Sequence, residues 1–434
     1  MNKTRLSQSK ITNKTVVCII GLGYVGLPLA LAFAKAGLKV LGVDIQQRRV
    51  DWVNKGQSYI ADVDSEVLRE TVREGLLKAT TDQSRLKEVD AICICVPTPL
   101  TKTKDPELSY VISESEVVSK YLQKGQLVIL ESTTYPGTTR EVMLPILERS
   151  GLKAGRDFYL AFSPERVDPG SKNYNVRNTP KVIGGIDTKS TKLATLLYSR
   201  IVDRVVPVSS PEVAEMTKVF ENVFRNVNIA LVNELTLLCE KMKISVWEVI
   251  DAAATKPFGY MPFYPGPGIG GHCIPLDPYY LANKAREFDF HTRFIELAAD
   301  INEHMPYYVV SRMLDAMNSE GKSLHGAKVL VLGVAYKRDV EDVRESPSLK
   351  LIELLCEKGA NVSYNDPYVA SVRISENNLR SVNLTDEQLV SADCVVIATD
   401  HTCYDYKYIA RKASFVFDTR GVTRKLRNKN IVRL

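Results

Sequence analysis

No run of lysines and arginines that would track a nucleic-acid backbone occurs among the 57 basic and 51 acidic residues of the 434-residue chain. The formal charge of +6 therefore forms no stripe on which a nucleic-acid backbone could lie, and no nucleic-acid partner is expected. Long apolar runs are also missing. Residues 1–14 are polar and basic and lead only into a short apolar strand, so the expectation is a cytoplasmic protein with no signal peptide and no membrane insertion. The eight cysteines lack the spacing of a disulfide framework, and Cys93 and Cys95 alternate within an apolar run as small core residues. Histidine is scarce at five residues. His272 stands near Cys273 and Asp277, but no CxxC or HxxxH pair accompanies it, and no metal is expected.

What is present reads as α/β. A chain of this length needs two or three domains. Residues 16–20 are β-branched and apolar, then Gly21-Leu22-Gly23-Tyr24-Val25-Gly26 leads into a helix over 27–36, and a second strand at 39–43 ends at Asp44. Buried strands are predicted again at 91–96 and 127–130, and the same grammar returns at 328–332, 361–364, 394–398 and 415–417. The expected fold is two Rossmann-like, doubly wound parallel-sheet domains joined by a long central helix and a helical middle domain. The boundaries fall at 1–208 for a dinucleotide domain, 209–320 for a helical, dimerising middle and 321–434 for a second nucleotide domain. Residues 211–243 have no internal proline or glycine and carry apolar residues at helical spacing, so they form the long helix, and a homodimer or higher homo-oligomer is expected through it. Ser245-Val246-Trp247-Glu248 opens a further helix as a capping box, and a third runs from 293 to about 319. Residues 256–278 hold six prolines and five glycines around His272 and Cys273 and cannot be regular structure. Such a loop approaches a ligand with its backbone or lies plainly on the surface.

The glycine pattern gains meaning from its setting between a strand and a helix. Gly21 permits the tight turn, Gly23 admits the pyrophosphate, Gly26 lets the helix pack closely, and Asp44 receives the adenosine ribose. A carboxylate at that point repels a 2′-phosphate, so NAD is the expected cofactor, with Arg48 and Arg49 close by as a counterweight. Cys273, outside any apolar strand, is the nucleophile candidate, and the start of a helix near Asp277-Pro278 would favour its thiolate; the alternative is a buried free thiol. Lys218 and Asn222 share a face of the long helix, either as site residues or as a solvated flank. Asp277 is either a site carboxylate or the N-cap of the next helix.

With these segments in hand the chain resembles the nucleotide-sugar 6-dehydrogenases. The resemblance runs from Val16 to Arg420 and is carried by the glycine turn, Val96-Pro97-Thr98-Pro99, Glu131-Ser132-Thr133, Ser163-Pro164-Glu165-Arg166, Glu215-Met216-Thr217-Lys218 with Asn222, Gly266 to Cys273, and Lys337-Arg338-Asp339 with Arg344-Glu345-Ser346. It implies oxidation of a UDP-sugar C6 alcohol to a carboxylate by two hydride transfers to NAD. Cys273 would capture the intermediate aldehyde as a thiohemiacetal and then carry a thioester. Lys218 and Asn222 would stabilise the oxyanion, Asp277 would orient Lys218 or a water, and Glu165 would do acid–base work beside Thr133. The resemblance further implies that Tyr24, Val25, Arg49, Thr98, Thr133 and Arg344 serve NAD, and that Glu165, Arg166, Tyr264, Gly268, Gly270, Lys337 and Arg420 serve the UDP-sugar. Residues 255–265 look like the branch acting on UDP-N-acetylglucosamine for bacterial surface polysaccharides. The UDP-glucose branch usually has a second glutamate after Ser163-Pro164-Glu165 and an arginine in the substrate loop, and both are missing. UDP-N-acetylglucosamine is therefore the expected substrate, with UDP-N-acetylmannosamine, UDP-N-acetylgalactosamine or UDP-glucose as alternatives. A catalytically silent NAD/UDP-sugar binder that regulates a partner is the remote one.

Overall fold

The strands of the first nucleotide domain are apolar on both faces because both faces are covered. The computed structural model describes residues 11–60, 63–101, 103–167, 173–271, 273–375 and 377–434, and His272 lies outside the described residues. The chain divides into two units, residues 1–221 with 279–290 and residues 222–278 with 291–434. In the first, β1 (Val16–Ile20), β2 (Lys39–Val43), β3 (Leu77–Thr80), β4 (Ala91–Ile94), β5 (Leu127–Leu130), β6 (Tyr159–Phe162), β7 (Lys181–Gly185) and β8 (Val205–Val208) form one sheet in the order β3-β2-β1-β4-β5-β6-β7-β8. Strand alternation sends Val17 and Ile19 of β1 into one core with Phe33 and Tyr198, and Cys18 and Ile20 into the opposite core with Val111 and Phe162. Ile20 sits between Val43 of β2 and Ile94 of β4, so the ends of these strands, and the residues just after them, open at one edge.

The parallel expectation fails at one pairing: β6 and β7 run antiparallel, while β7 and β8 are parallel to each other. Among the described residues between Phe162 and Lys181 there is no helix, and a parallel neighbour needs a crossover. The second unit repeats the architecture. β9 (Lys328–Leu332), β10 (Asn361–Asn365), β13 (Cys394–Ile397), β14 (Val416–Asp418) and β15 (Ile431–Arg433) form an all-parallel sheet in the order β10-β9-β13-β14-β15, and β11 (Ser371–Ile374) and β12 (Asn377–Arg380) make a separate hairpin. Its core gathers Val329, Val331, Leu351, Leu355, Val396 and Phe417.

The helical middle is also present. The long helix runs Pro211–Met242 and another runs Arg293–Ser319 with Pro306 inside it. The helix Val246–Ala253 opens at Ser245, whose hydroxyl accepts the Glu248 N–H. On the long helix Ala214, Val219, Val223, Ala230 and Val232 are buried, while Val213, Met216, Phe220, Phe224, Leu231 and Leu238 stay exposed, so its apolar residues occupy more than the stripe one core needs. Among the described residues no helix is long and apolar enough to cross a membrane.

Candidate functional site

In the first unit, the glycine turn fits a dinucleotide. Gly21 has φ +87°, and a Cβ there would lie 2.6 Å from the Cys95 carbonyl oxygen. At Gly26 it would lie 1.8 Å from the Gly21 oxygen, so the helix Gly26–Lys35 can start this close to the strand only without a side chain. At Gly23 it would meet no heavy atom within 4 Å, which leaves the backbone bare toward open space. The N-cap residue Val25 offers no capping side chain, and the Leu27 and Leu29 N–H groups are taken by the Gly23 and Val25 carbonyls, so a phosphate at this helix start would draw on the positive end of the helix dipole. Tyr24 beside the turn is exposed and Val25 half-buried. Buried Asp44 accepts the N–H groups of Leu22 at 2.9 Å and Gln46 at 2.9 Å and pairs with Arg49 at 3.3 Å. That fixes the Asp44 carboxylate beside the glycine turn, with Arg49 next to it. Thr98 donates its hydroxyl to the Thr133 carbonyl at 2.7 Å, and its own carbonyl takes the Tyr280 hydroxyl at 2.7 Å.

On the same sheet Glu165 is held hard. Its Oε1 accepts the N–H groups of Arg166 at 2.6 Å and Val167 at 2.7 Å, and its Oε2 receives the Lys181 ammonium at 3.4 Å. Burial pushes the Glu165 carboxyl up, but Lys181, these two N–H groups and Lys218 together bring it below the usual carboxylate range. Arg166 is engaged with the protein itself, with Glu221 at 2.6 Å and the Pro180 carbonyl at 2.6 Å. Burial pushes up the thiols of Cys93 and Cys95, as fits core residues rather than nucleophiles. Lys218 is half-buried.

In the second unit, Cys273 is the thiol of the irregular segment and is half-buried, whereas Cys18, Cys93, Cys95, Cys239 and Cys394 are buried. Its carbonyl accepts the N–H groups of Leu276 at 3.1 Å and Asp277 at 2.9 Å, the latter being the first residue of the helix Asp277–Arg286. Asp277 is therefore inside the helix rather than its N-cap, and its buried carboxylate takes the Asn222 amide at 2.5 Å. One turn on, Asn226 donates to the Ile274 carbonyl at 3.2 Å. Asn302 donates to the Asn226 carbonyl at 3.0 Å, and Asn233 bonds Asn302 at 2.8 Å and the Gly266 N–H at 3.1 Å. A row of buried amides on two helices thus pins the backbone on both sides of Cys273. A Cβ at Gly270 would come within 2.6 Å of Tyr336, and Gly268 faces Pro347 at 3.0 Å, so these glycines are demanded by the protein's own packing.

The second unit also holds a cavity of about 550 Å³ at the end of its sheet, lined by Trp247, Tyr264, Arg338, Arg420, Arg424 and Lys425 among others. Trp247 and Tyr264 stack at 6.0 Å, Arg424 lies 5.5 Å from the Tyr264 ring, and the Trp247 N–H is fixed on the Leu434 carbonyl at 3.0 Å. Two flat rings beside four cations suit a base with a diphosphate. Tyr264 and Arg420 come together here, whereas Lys337 and Arg344 are not among the lining residues and Arg344 pairs with Asp342 at 2.6 Å. Sequence reasoning missed Lys181, Asn226, Asn233, Asn302, Trp247, Arg338, Arg424 and Lys425. The available signals were the four-residue step from Asn222 to Asn226 and the basic run after β14.

Residues 15–202, 212–304 and 330–425 match the NAD binding, central and UDP binding domains of the UDP-glucose/GDP-mannose dehydrogenase family. The chain is 34% identical over 420 residues to the UDP-N-acetyl-D-mannosamine dehydrogenase of Methanococcus maripaludis, covering 94% of this chain and 92% of that one. To the UDP-N-acetyl-D-glucosamine 6-dehydrogenase of Pseudomonas aeruginosa it is 39% identical over 357 residues, covering 82% and 83%. A solved structure of the UDP-D-ManNAc dehydrogenase from Pyrococcus horikoshii superposes with a TM-score of 0.88 at 35% identity, covering 96% and 98%.

Proposed function

Because the chain belongs to the UDP-glucose/GDP-mannose dehydrogenase family, we propose that it oxidises the C6 alcohol of UDP-N-acetylmannosamine to a carboxylate, with Cys273 holding the sugar carbon between two hydride transfers. It is an NAD-dependent oxidoreductase acting on a UDP-linked sugar. The observation that carries the covalent reading is the half-buried Cys273, set in a segment braced by Asn222, Asn226 and Asp277 and set apart from five buried thiols. Bound NAD supplies a hydride acceptor in each half of the reaction. After the first transfer the Cys273 thiolate adds to the aldehyde carbon, a C–S bond forms, and the carbonyl pair moves onto oxygen. Lys218 and Asn222 stabilise that oxyanion, with Asp277 fixing the Asn222 amide. Loss of the second hydride leaves a thioester; water attacks it, Glu165 takes the proton at Oε2, the C–S bond breaks and the thiolate is restored.

Tyr264, Arg420 and the cations around them take the UDP moiety, with Lys337 reaching toward the sugar; Thr98, Thr133 and Arg49 attend NAD, and Arg344 joins them. The segments 1–208, 209–320 and 321–434 act as cofactor, connecting and UDP domains. The exposed stripe of the long helix joins two copies, and the protein works in the cytoplasm. The choice of mannosamine departs from the expectation of glucosamine raised by residues 255–265; it is supported by the mannosamine relative of Methanococcus maripaludis, which matches 94% of the chain, against 82% for the glucosamine relative of Pseudomonas aeruginosa. UDP-N-acetylglucosamine remains the second reading. Purified protein given each sugar with NAD separates them: NADH from the mannosamine nucleotide supports the proposal, and NADH from the glucosamine nucleotide alone overturns it. Formation of no NADH from any UDP-sugar would leave a silent binder.

A further inference from the structure

Lysine is among the residues least often buried, and Lys181, the first residue of β7, is buried with its side chain only 6% exposed. Its ammonium serves two carboxylates, Glu131 Oε2 at 2.7 Å and Glu165 Oε2 at 3.4 Å. Glu131, directly after β5, is itself buried, and its other oxygen receives the Tyr198 hydroxyl. Tyr198 in turn lies 3.7 Å from the Cys93 sulfur, and its ring is 5.5 Å from the Lys181 ammonium. A structural ion pair would be complete with Glu131 alone. Instead the ammonium is shared, short to Glu131 in the core and long to Glu165, the proposed acid–base group. Glu165 Oε1 is saturated by two backbone N–H groups, so the Lys181 bond is the one that sets how Oε2 is presented.

We propose that Lys181 is a positioning residue that holds the Glu165 carboxylate for its acid–base step, anchored from behind by Glu131 and Tyr198. The inference rests on Glu165 being the acid–base group. The charged and titratable groups facing Glu165 are Lys181, Lys218, Glu131 and Cys95, with Cys93 and Tyr198 packed against Glu131. Lys181 is the largest attraction opposing burial at Glu165. Without it the carboxylate needs a higher pH to ionise, and a base that must be ionised then fails at pH values where it formerly worked.

The test is the pH profile of kcat for the full-length enzyme with NAD and either UDP-N-acetylmannosamine or UDP-N-acetylglucosamine, together with the intact mass of the covalent enzyme adduct during turnover. Lys181→Met should move the acid limb upward by about one pH unit or more, accumulate adduct near neutral pH and recover toward the native rate in alkali. Lys181→Arg should keep the limb near its native position. Removing one partner of a buried pair can unfold a protein, so Lys181→Met/Glu131→Gln, which removes both charges, is measured alongside and should show the same upward limb. An unmoved limb in a folded variant, or a rate lowered equally at every pH, overturns the proposal. Glu165→Gln tests the underlying reading separately: it should depress the rate at all pH values, and an unaffected rate there refutes the role of Glu165 rather than that of Lys181.

Discussion

Two alanines placed three residues apart should separate folding from cofactor binding. At Gly23 the added Cβ meets nothing within 4 Å, and the backbone there is not in the left-handed region. Gly23→Ala should therefore leave stability unchanged or raise it by up to about 1 kcal/mol through the unfolded chain. With the pyrophosphate proposed over this turn, the same methyl takes its space, and NAD should bind roughly ten- to a hundredfold more weakly, a loss of about 1.4 to 2.8 kcal/mol. Gly26→Ala works in reverse order. Its Cβ would stand 1.8 Å from the Gly21 oxygen and 3.1 Å from Ile19 Cγ2, so strand, turn or helix must move, at a cost of about 1–3 kcal/mol before any cofactor is added. The assay is thermal unfolding with and without NAD, backed by calorimetric titration, since a ligand that binds only the folded state raises Tm with its concentration. A Gly23→Ala protein that keeps the native NAD-induced shift and Kd would refute the placement of the pyrophosphate over this turn.

Other residues make equally direct demands. Cys273→Ser should yield at most one NADH per sugar, and undiminished turnover to the acid would end the covalent reading. Arg424→Ala, at the cavity rim over Tyr264, should raise KM about tenfold while kcat stays within about twofold; a pure kcat loss would place Arg424 elsewhere in the reaction. Phe220→Asp, on the exposed stripe of the long helix, should halve the mass seen by light scattering without lowering Tm, and an unchanged mass would remove that stripe from the interface. Asp366 accepts the N–H groups of Val334 at 2.7 Å and Ala335 at 3.1 Å and pairs with His401 at 3.0 Å; burial pushes it up, but these partners hold it below the ordinary 3.8. A depressed carboxyl contributes stability above its unfolded value and loses it as pH falls, so Asp366→Asn should cost about 2–3 kcal/mol at pH 7 and less near pH 3. Equal losses at both pH values by urea titration would contradict this.

The parts of the fold legible in the sequence are those written locally. β1, the glycine turn and the helix after it follow one another within 20 residues, and burial on both faces leaves an unbroken apolar run that pattern reading detects. The long helix is equally plain, since nothing in residues 211–242 interrupts it. Strand direction is not local, so the reversal between β6 and β7 left no trace in either strand's composition. The Lys181 cage was hidden for the same reason: a lysine opening a strand reads as solvent-facing, and its partner Glu131 is 50 positions away. Trp247 and Arg424 meet at one cavity only because the second sheet folds, and Asn226, Asn233 and Asn302 read as ordinary polar helix positions until their burial is known.

The most direct measurement of the account is the yield of NADH per UDP-N-acetylhexosamine consumed, taken to completion with excess NAD, with the product identified by mass. The account predicts two NADH and a uronic acid, with a Cys273-linked sugar detectable during turnover. One NADH with an aldehyde product, or two NADH from the Cys273→Ser protein, would contradict it.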